Sequence, residues 1–510
     1  MGADRAVVIG AGVGGLVAAL LLAARGLDVT VVERAHSPGG KLRELDVAGQ
    51  QLDAGPTVFT MRHVFEQIFS DAGASLADHI SLKQMDLLAR HAWSKDERLD
   101  LFSNIERSAD AIGVLAGASE ARGYRSFCEC ARRIHDALIV SFIEATKPSV
   151  ATLIKSSGLR GLGALWEVSP FVSLWRALGD HFRDQRLRQL FGRYATYCGS
   201  SPFLAPATLM MIAHVEREGV WLVEGGMYQI AEALARLAAA RGAKFVYGDE
   251  IRQVIVRRGR IAGVRAANGE EIAADAIIAN CDVAAIGAGL FGDDISDTAP
   301  MPMPRSLSAI TWAMVAKADG FPLTRHNVFF SSDYGAEFDD IFQRSRVPEE
   351  PTVYVCAQDR SEDDNDPRGA ERLLCLINAP PNGDLSSFDN SEIESCAQRT
   401  FRVLEHRGLR IERNTEAMAV TTPASFNRLF PATGGALYGQ PSHGWMASFR
   451  RPGCRTRVPG LYLAGGSTHP GPGVPMAALS GRLAAAALMA DLDSTSRSRM
   501  MAMLGGTSIR

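Results

Sequence analysis

The sequence predicts an α/β (α+β) protein in which a Rossmann-like nucleotide-binding domain is interrupted by a mixed-sheet domain and a helical insertion. Three observations predict it. A strand, a glycine-rich turn, a helix and a second strand open the chain, a strand running into another glycine turn and a long alanine-rich helix close it, and short strands preceded by a helical stretch lie between.

The opening unit is the most specific. Residues 6–9 read as a buried strand, Gly10-Ala-Gly12-Val-Gly14-Gly15 as the turn, 16–25 as the helix and 29–32 as the next strand, with Glu33 at its end. Gly10 permits the tight turn, Gly12 lets backbone approach a pyrophosphate, and Gly15 lets helix and strand pack closely. The helix N-terminus adds a positive field, and the Glu33 carboxylate is placed to accept hydrogen bonds from ribose hydroxyls.

At 510 residues the chain exceeds one ordinary core, so several subdomains are expected. A formal charge of -3, no long basic tract and no nucleic-acid-binding signature argue against nucleic acid as a partner. The eight cysteines are scattered, and Cys128-Glu-Cys130 lacks metal-type spacing, so reduced core residues and no metal site are expected. Met1-Gly2-Ala3-Asp4 leads directly into the first strand, which predicts no signal peptide. The longest apolar run, near residues 13–24, is too short to span a bilayer.

Two further turn-rich stretches follow the opening unit, Gly39-Gly40-Lys41-Leu42-Arg43 and Leu52-Asp53-Ala54-Gly55-Pro56-Thr57. From about residue 124 to 217 the apolar spacing turns helical, with Phe127, Ala131, Ile134 and Leu138 in phase. An amphipathic helix is predicted at 228–241, and short strands at 244–279 with an Asn268-Gly269 hairpin. Strands at 308–316, 352–357 and 372–378 and a helix at 392–406 suit a mixed sheet. Residues 460–466 form a strand into a glycine turn, 474–492 the closing helix, and 494 onward a frayed tail. The expected division is nucleotide-binding segments at 1–80, 219–290 and 455–493, mixed-sheet segments at 81–123 and 291–454, a helical insertion at 124–218 and a tail at 494–510.

The Gly39-Gly40-Lys41 and Asp53-Ala-Gly55-Pro56-Thr57 turns, together with Gly465-Gly466-Ser-Thr468-His469-Pro-Gly471-Pro-Gly473-Val474-Pro475-Met476, resemble the bacterial phytoene desaturase family of FAD-dependent carotenoid desaturases along essentially the whole chain. Within it, Thr60-Met61-Arg62-His63-Val-Phe65 and Ala436-Leu-Tyr438-Gly439-Gln-Pro-Ser442-His443-Gly444-Trp445 look most like the hydroxyneurosporene (1-hydroxycarotenoid 3,4-) desaturases. The resemblance implies an FAD-binding domain of the glutathione-reductase/amine-oxidase type with a substrate domain and a membrane-facing helical insertion. It implies FAD held by Gly10, Gly12, Gly14, Gly15, Glu33, Arg34, Gly40, Lys41, Gly55, Pro56 and Thr57, with Ile251 near the adenine. Gly465, Gly466, Val474, Pro475 and Met476 would border the flavin ring, where glycines allow close approach and the last helix directs its N-terminal amides toward negative charge on the ring.

The implied reaction is desaturation of an acyclic carotenoid by hydride transfer to flavin, with 3,4-desaturation of a 1-hydroxyneurosporene-type substrate in spheroidene- or spirilloxanthin-type synthesis. His63, His443 and His469 are the candidate proton acceptors. Residues 159–178 and 204–211 are expected to line an apolar tunnel. Leu159, Leu162, Trp166, Phe171 and Trp175, with Lys155, Arg160 and Arg176, have the aromatic and basic mix of an interfacial helix, equally that of a solvated helix with a buried face. The resemblance further implies a cytoplasmic enzyme, peripheral on the inner face of the cell membrane, with oxygen or a quinone as electron acceptor. Phytoene desaturation on the same fold, a flavin amine oxidase, and a non-catalytic isoprenoid carrier are the rival readings.

Overall fold

The computed structural model describes residues 4–139, 143, 171–299, 301, 303–361, 367, 369–386 and 388–505. Its first sheet is parallel, in the order Leu461–Leu463, Ala276–Ala279, Arg5–Ile9, Asp28–Glu33, Lys244–Tyr247. Chain ends and middle therefore meet in one sheet, because buried apolar strands from distant segments cannot be left unpaired. Side chains of Arg5–Ile9 alternate: Ala6 and Val8 join the core under the helices, and Val7 and Ile9 face the opposite core.

On one face pack the helices Val13–Ala24, Gln229–Ala240 and Val474–Gly505. On the other lies the three-stranded meander Ile251–Arg257, Arg260–Ala266, Glu271–Ala273, whose last turn is the Asn268-Gly269 hairpin. Three boundaries differ most from the sequence-based expectation, one of them the first helix of the insertion, which begins at Ala118 and not near 124. The first helix begins at Val13, before residue 16, because Gly14 and Gly15 already belong to its first turn, and the Leu16 amide donates to the Gly12 carbonyl. The last helix runs through Gly505 where a frayed tail was expected, and no glycine or proline interrupts it between Gly481 and Gly505.

The second sheet has seven strands in the order Met418–Thr421, Ser308–Ala316, Glu371–Ala379, Val353–Ala357, His326–Phe329, Leu87–Ala92, Arg98–Phe102. All pairs are antiparallel except His326–Phe329 with Leu87–Ala92. One face, with Trp312, Leu373, Cys375 and Val355, packs beneath the helix Asn390–His406. The other presents Thr311, Leu374, Leu376, Asn378, Thr352 and Tyr354 to a large cavity.

The helical insertion supplies the cavity's roof: Ala118–Leu138, Leu174–His181, Gln185–Gly192, the 3-10 turn Arg193–Cys198, and Met211–Glu218. Phe127, Phe182 and Phe191 form its centre, and the same core takes in Leu99, Leu101, Val328 and Phe330 from the edge of the mixed sheet. All eight cysteines are free thiols.

Candidate active site

The cavity is built from backbone at one end and side chains at the other. At the backbone end Gly10 adopts φ +92°, and a Cβ on Gly15 would lie 2.1 Å from the Gly10 carbonyl oxygen. Helix Val13–Ala24 is capped by Gly12 with no side chain over its amides, which leaves its first turn open to an anion. The Glu33 carboxylate accepts from the Ala11 amide at 2.7 Å and the Ala35 amide at 2.8 Å. Each oxygen keeps a further lone pair for a ribose hydroxyl. Gly39 pairs with Gly12 across a bridge, which lays the Gly39-Gly40 turn against the first.

Asn280 is a site residue that no sequence motif signals. It ends the strand Ala276–Ala279 and its side chain touches the space beside Gly12, Gly14, Gly15 and Gly465, which ties the first glycine turn to the last. Asp53 anchors the Gly55-Pro56-Thr57 turn. Its buried carboxylate accepts from the amides of Met227 (2.7 Å) and Tyr228 (3.1 Å) at the start of helix Gln229–Ala240, while Gln358 bonds its backbone on both sides. Burial raises the Asp53 carboxyl above its ordinary value, and the two amide bonds oppose that rise. The Gly465 amide donates to Ser480 in the last helix, and Thr468 bonds both Gly465 and Ser480.

Two cations border the middle of the cavity. Lys41 Nζ donates to the Leu437 carbonyl at 2.5 Å beneath the Phe430 ring, and Arg451 donates to the carbonyls of Tyr438 and Gln440. Burial lowers both, Arg451 to about 10, with Asp282 opposing the shift at each. Lys41 thus serves the middle of the cavity, and Arg34 donates to the carbonyls of Arg428 and Leu429.

Gly10, Gly12, Gly14, Glu33, Arg34, Gly40, Lys41, Gly55, Pro56, Thr57, Ile251, Gly465, Gly466, Val474, Pro475 and Met476 all line this one cavity of about 980 Å³, whereas Gly15 lies behind it against Gly10. The three histidines do not line it. His63 is exposed on helix Arg62–Asp71 and faces a separate depression with Glu66 and Trp221. His443 Nε2 accepts from the Ser201 amide at 3.0 Å, and burial pulls it down to about 4, so it is neutral. His469 is buried beside the last glycine turn, where its amide donates to the Pro452 carbonyl. Of the expected tunnel segments, Leu209 and Met211 reach the cavity, Leu204 is exposed, and Trp175 packs inward against Phe203 with Arg188 over its ring. Leu159, Leu162, Trp166, Lys155 and Arg160 lie outside the described residues. The cavity lining also carries Arg193, Tyr197, Glu216, Tyr334 and Tyr354, none of which belongs to a contiguous motif.

His135, Asp136 and His214 approach within 4.8 Å, and the two ring nitrogens of His214 already have partners, Arg217 at Nδ1 (2.6 Å) and Glu218 at Nε2 (3.2 Å).

A glycine cradle open to a pyrophosphate, an acid for the ribose, and a third segment that closes over the same cavity define a flavin-dependent oxidoreductase. The chain belongs to the flavin containing amine oxidoreductase family, whose sequence pattern matches residues 13–489. It is 55% identical over 509 residues to a hydroxyneurosporene desaturase of Rubrivivax gelatinosus, covering 99% of this chain and 97% of that protein. It is 44% identical to a hydroxyneurosporene desaturase of Cereibacter sphaeroides (97% and 99%), and 30% identical to a zeta-carotene-forming phytoene desaturase of Myxococcus xanthus (95% and 94%). In three dimensions it resembles an oxidoreductase from Methanosarcina mazei, with a TM-score of 0.60 at 18% identity (94% and 99% covered), and a putrescine oxidase at 0.59 and 14% (96% and 99%). These likenesses describe the fold. FAD is the cofactor, and the cradle fits it: the helix N-terminus carries no side-chain cap, Glu33 keeps free lone pairs, and at Gly40 only the Gly12 backbone lies close.

Proposed function

We propose that this protein is an FAD-dependent desaturase that removes two hydrogens across C3–C4 of an acyclic 1-hydroxylated carotenoid. The observation that carries the reading is a single cavity in which the glycine cradle opens onto a largely apolar space; the identity to hydroxyneurosporene desaturases supports the same substrate. Bound FAD supplies the two-electron acceptor for a substrate C–H bond. The chain's own residues position and shield: Leu374 and Leu376 from the sheet, Leu138 at the end of helix Ala118–Leu138 with Ile139 just after it, and Leu209, Ile212 and Val215 from the insertion hold a polyene and exclude water. Charge that develops on the substrate is delocalised over the polyene, so the proton released next needs only a weak acceptor.

Substrate delivery from lipid is part of the proposal. Phe171 (65% exposed), Leu204 (45%) and Trp445 (40%) form one apolar patch, with the Phe171 and Trp445 rings 5.2 Å apart and Leu204 bonded to Gly444, and Arg176 is exposed nearby in sequence. No helix of the described residues is long and apolar enough to cross a membrane. We place the enzyme on the inner face of the cell membrane, with oxygen or a quinone taking the electrons. In flotation with anionic vesicles, Phe171→Ser/Trp445→Ser should stay with the soluble fraction; unchanged flotation rejects this contact. Pigment analysis of a carotenoid-producing host supplied with phytoene, neurosporene and 1-hydroxyneurosporene in parallel tests the substrate. New product only from the hydroxylated compound is expected, and activity only on phytoene refutes the reading.

A further inference from the structure

A hydrocarbon chain offers nothing to hydrogen-bond, yet one wall of the cavity is polar. Arg193, in the 3-10 turn Arg193–Cys198, lines it, and Nη1 donates to the Tyr197 hydroxyl at 3.3 Å. The guanidinium lies 5.4 Å over the rings of Tyr197 and Tyr354. Among the described residues no carboxylate lies within ion-pair distance of it. Tyr334 lines the same cavity, is only 6% exposed, and its hydroxyl has no hydrogen-bond partner among the described residues. Native proteins rarely leave a buried phenol unsatisfied, and a guanidinium facing an apolar space is costly unless something polar arrives there.

The surrounding groups are already committed. Tyr354 Oη is 2.7 Å from both Thr57 Oγ1 and His326 Nδ1, and Glu216 accepts from the Tyr194 hydroxyl at 2.7 Å. Burial raises the Glu216 carboxyl, and its bonds to Tyr194 and Tyr197 oppose that shift. Tyr197 and Tyr354, fixed by these bonds, hold Arg193 in place.

We propose that Arg193 and Tyr334 form the binding site for the substrate's terminal hydroxyl: a guanidinium N–H donates to the hydroxyl oxygen, and the hydroxyl donates its own proton to Tyr334 Oη. This rests on the desaturase reading above and names the residues that make it selective. The placement agrees with the chemistry. A hydroxyl on C1 is only a few bonds from C3, so its anchor must adjoin the reacting bond. Through Tyr354 and Thr57 the polar wall abuts the Gly55-Pro56-Thr57 turn, one of the segments that close on the cofactor cavity.

The test is equilibrium binding to the purified holoenzyme, read by fluorescence quenching, of a 1-hydroxylated acyclic carotenoid and of the same carotenoid lacking the hydroxyl. The wild type should prefer the hydroxylated ligand about 10- to 100-fold. Tyr334→Phe and Arg193→Met should each remove most of that preference by weakening the hydroxylated ligand alone. Tyr334→Phe deletes one oxygen, so the test stands even where Arg193→Met folds poorly. A wild type without preference, or a preference that survives Tyr334→Phe, overturns the site. Preferential binding without desaturation would refute the reaction and support the site, whereas desaturation without preferential binding would refute the site alone.

Discussion

The two halves of the cavity are made by different means. The nucleotide half is backbone: glycines, helix N-termini and one carboxylate, set by short contiguous motifs at Gly10 to Gly15, Gly39-Gly40 and Gly465-Gly466. The half we propose for the substrate is side chain: one face of a seven-stranded sheet and a helical roof, assembled from residues far apart in sequence. Backbone geometry tolerates almost no added atom, whereas an apolar wall can rearrange. Damage to the first half should therefore be all-or-none, and damage to the second graded.

The steepest break is Gly15→Val. Its Cβ would fall 2.1 Å from the Gly10 carbonyl oxygen, so the protein should purify colourless, without FAD; a yellow variant would contradict the cradle. Next is Asp53→Ala, which removes the acceptor of the Met227 and Tyr228 amides. It should cost about 3 kcal/mol in denaturant titrations and loosen flavin retention.

Acid should act on the substrate half. Burial holds His91 and His326 near about 3 and His443 near about 4. An unfolded histidine titrates near about 6.5, so below that value the unfolded chain takes up protons that the native chain refuses. Stability from these groups is intact at higher pH and is lost as pH falls through about 6.5, until the native rings themselves protonate. Thermal melting should show a loss of about 2 kcal/mol between pH 7 and pH 6, and a His326→Phe variant should flatten that slope. Smallest is Leu376→Ala in the cavity wall. It should lower kcat/KM about 10-fold with flavin content unchanged, and loss of flavin would contradict the division of labour.

The same contrast explains what could be read from the sequence. The glycine turns, Glu33 and the final helix were legible because each motif constrains its own backbone locally. Asn280 was not, since one asparagine after a strand carries no signal until Gly12 and Gly465 are seen beside it. Arg193, Glu216, Tyr334 and Tyr354 converge only through tertiary packing of the insertion on the sheet. His63, His443 and His469 sit in family-like segments, but segment identity does not fix side-chain direction: Met61 at φ +50° starts a helix that carries His63 outward, and His443 turns to the Ser201 amide.

The central claim, that one cavity holds FAD and a hydroxylated carotenoid in reacting contact, is tested most directly by an anaerobic single turnover. Purified yellow holoenzyme is mixed with a 1-hydroxylated acyclic carotenoid, and pigments are extracted and separated. The predicted result is bleached flavin and, for each flavin reduced, one carotenoid with one further conjugated double bond. Flavin that stays oxidised in the presence of bound carotenoid, or that is bleached by an amine instead, would contradict the account.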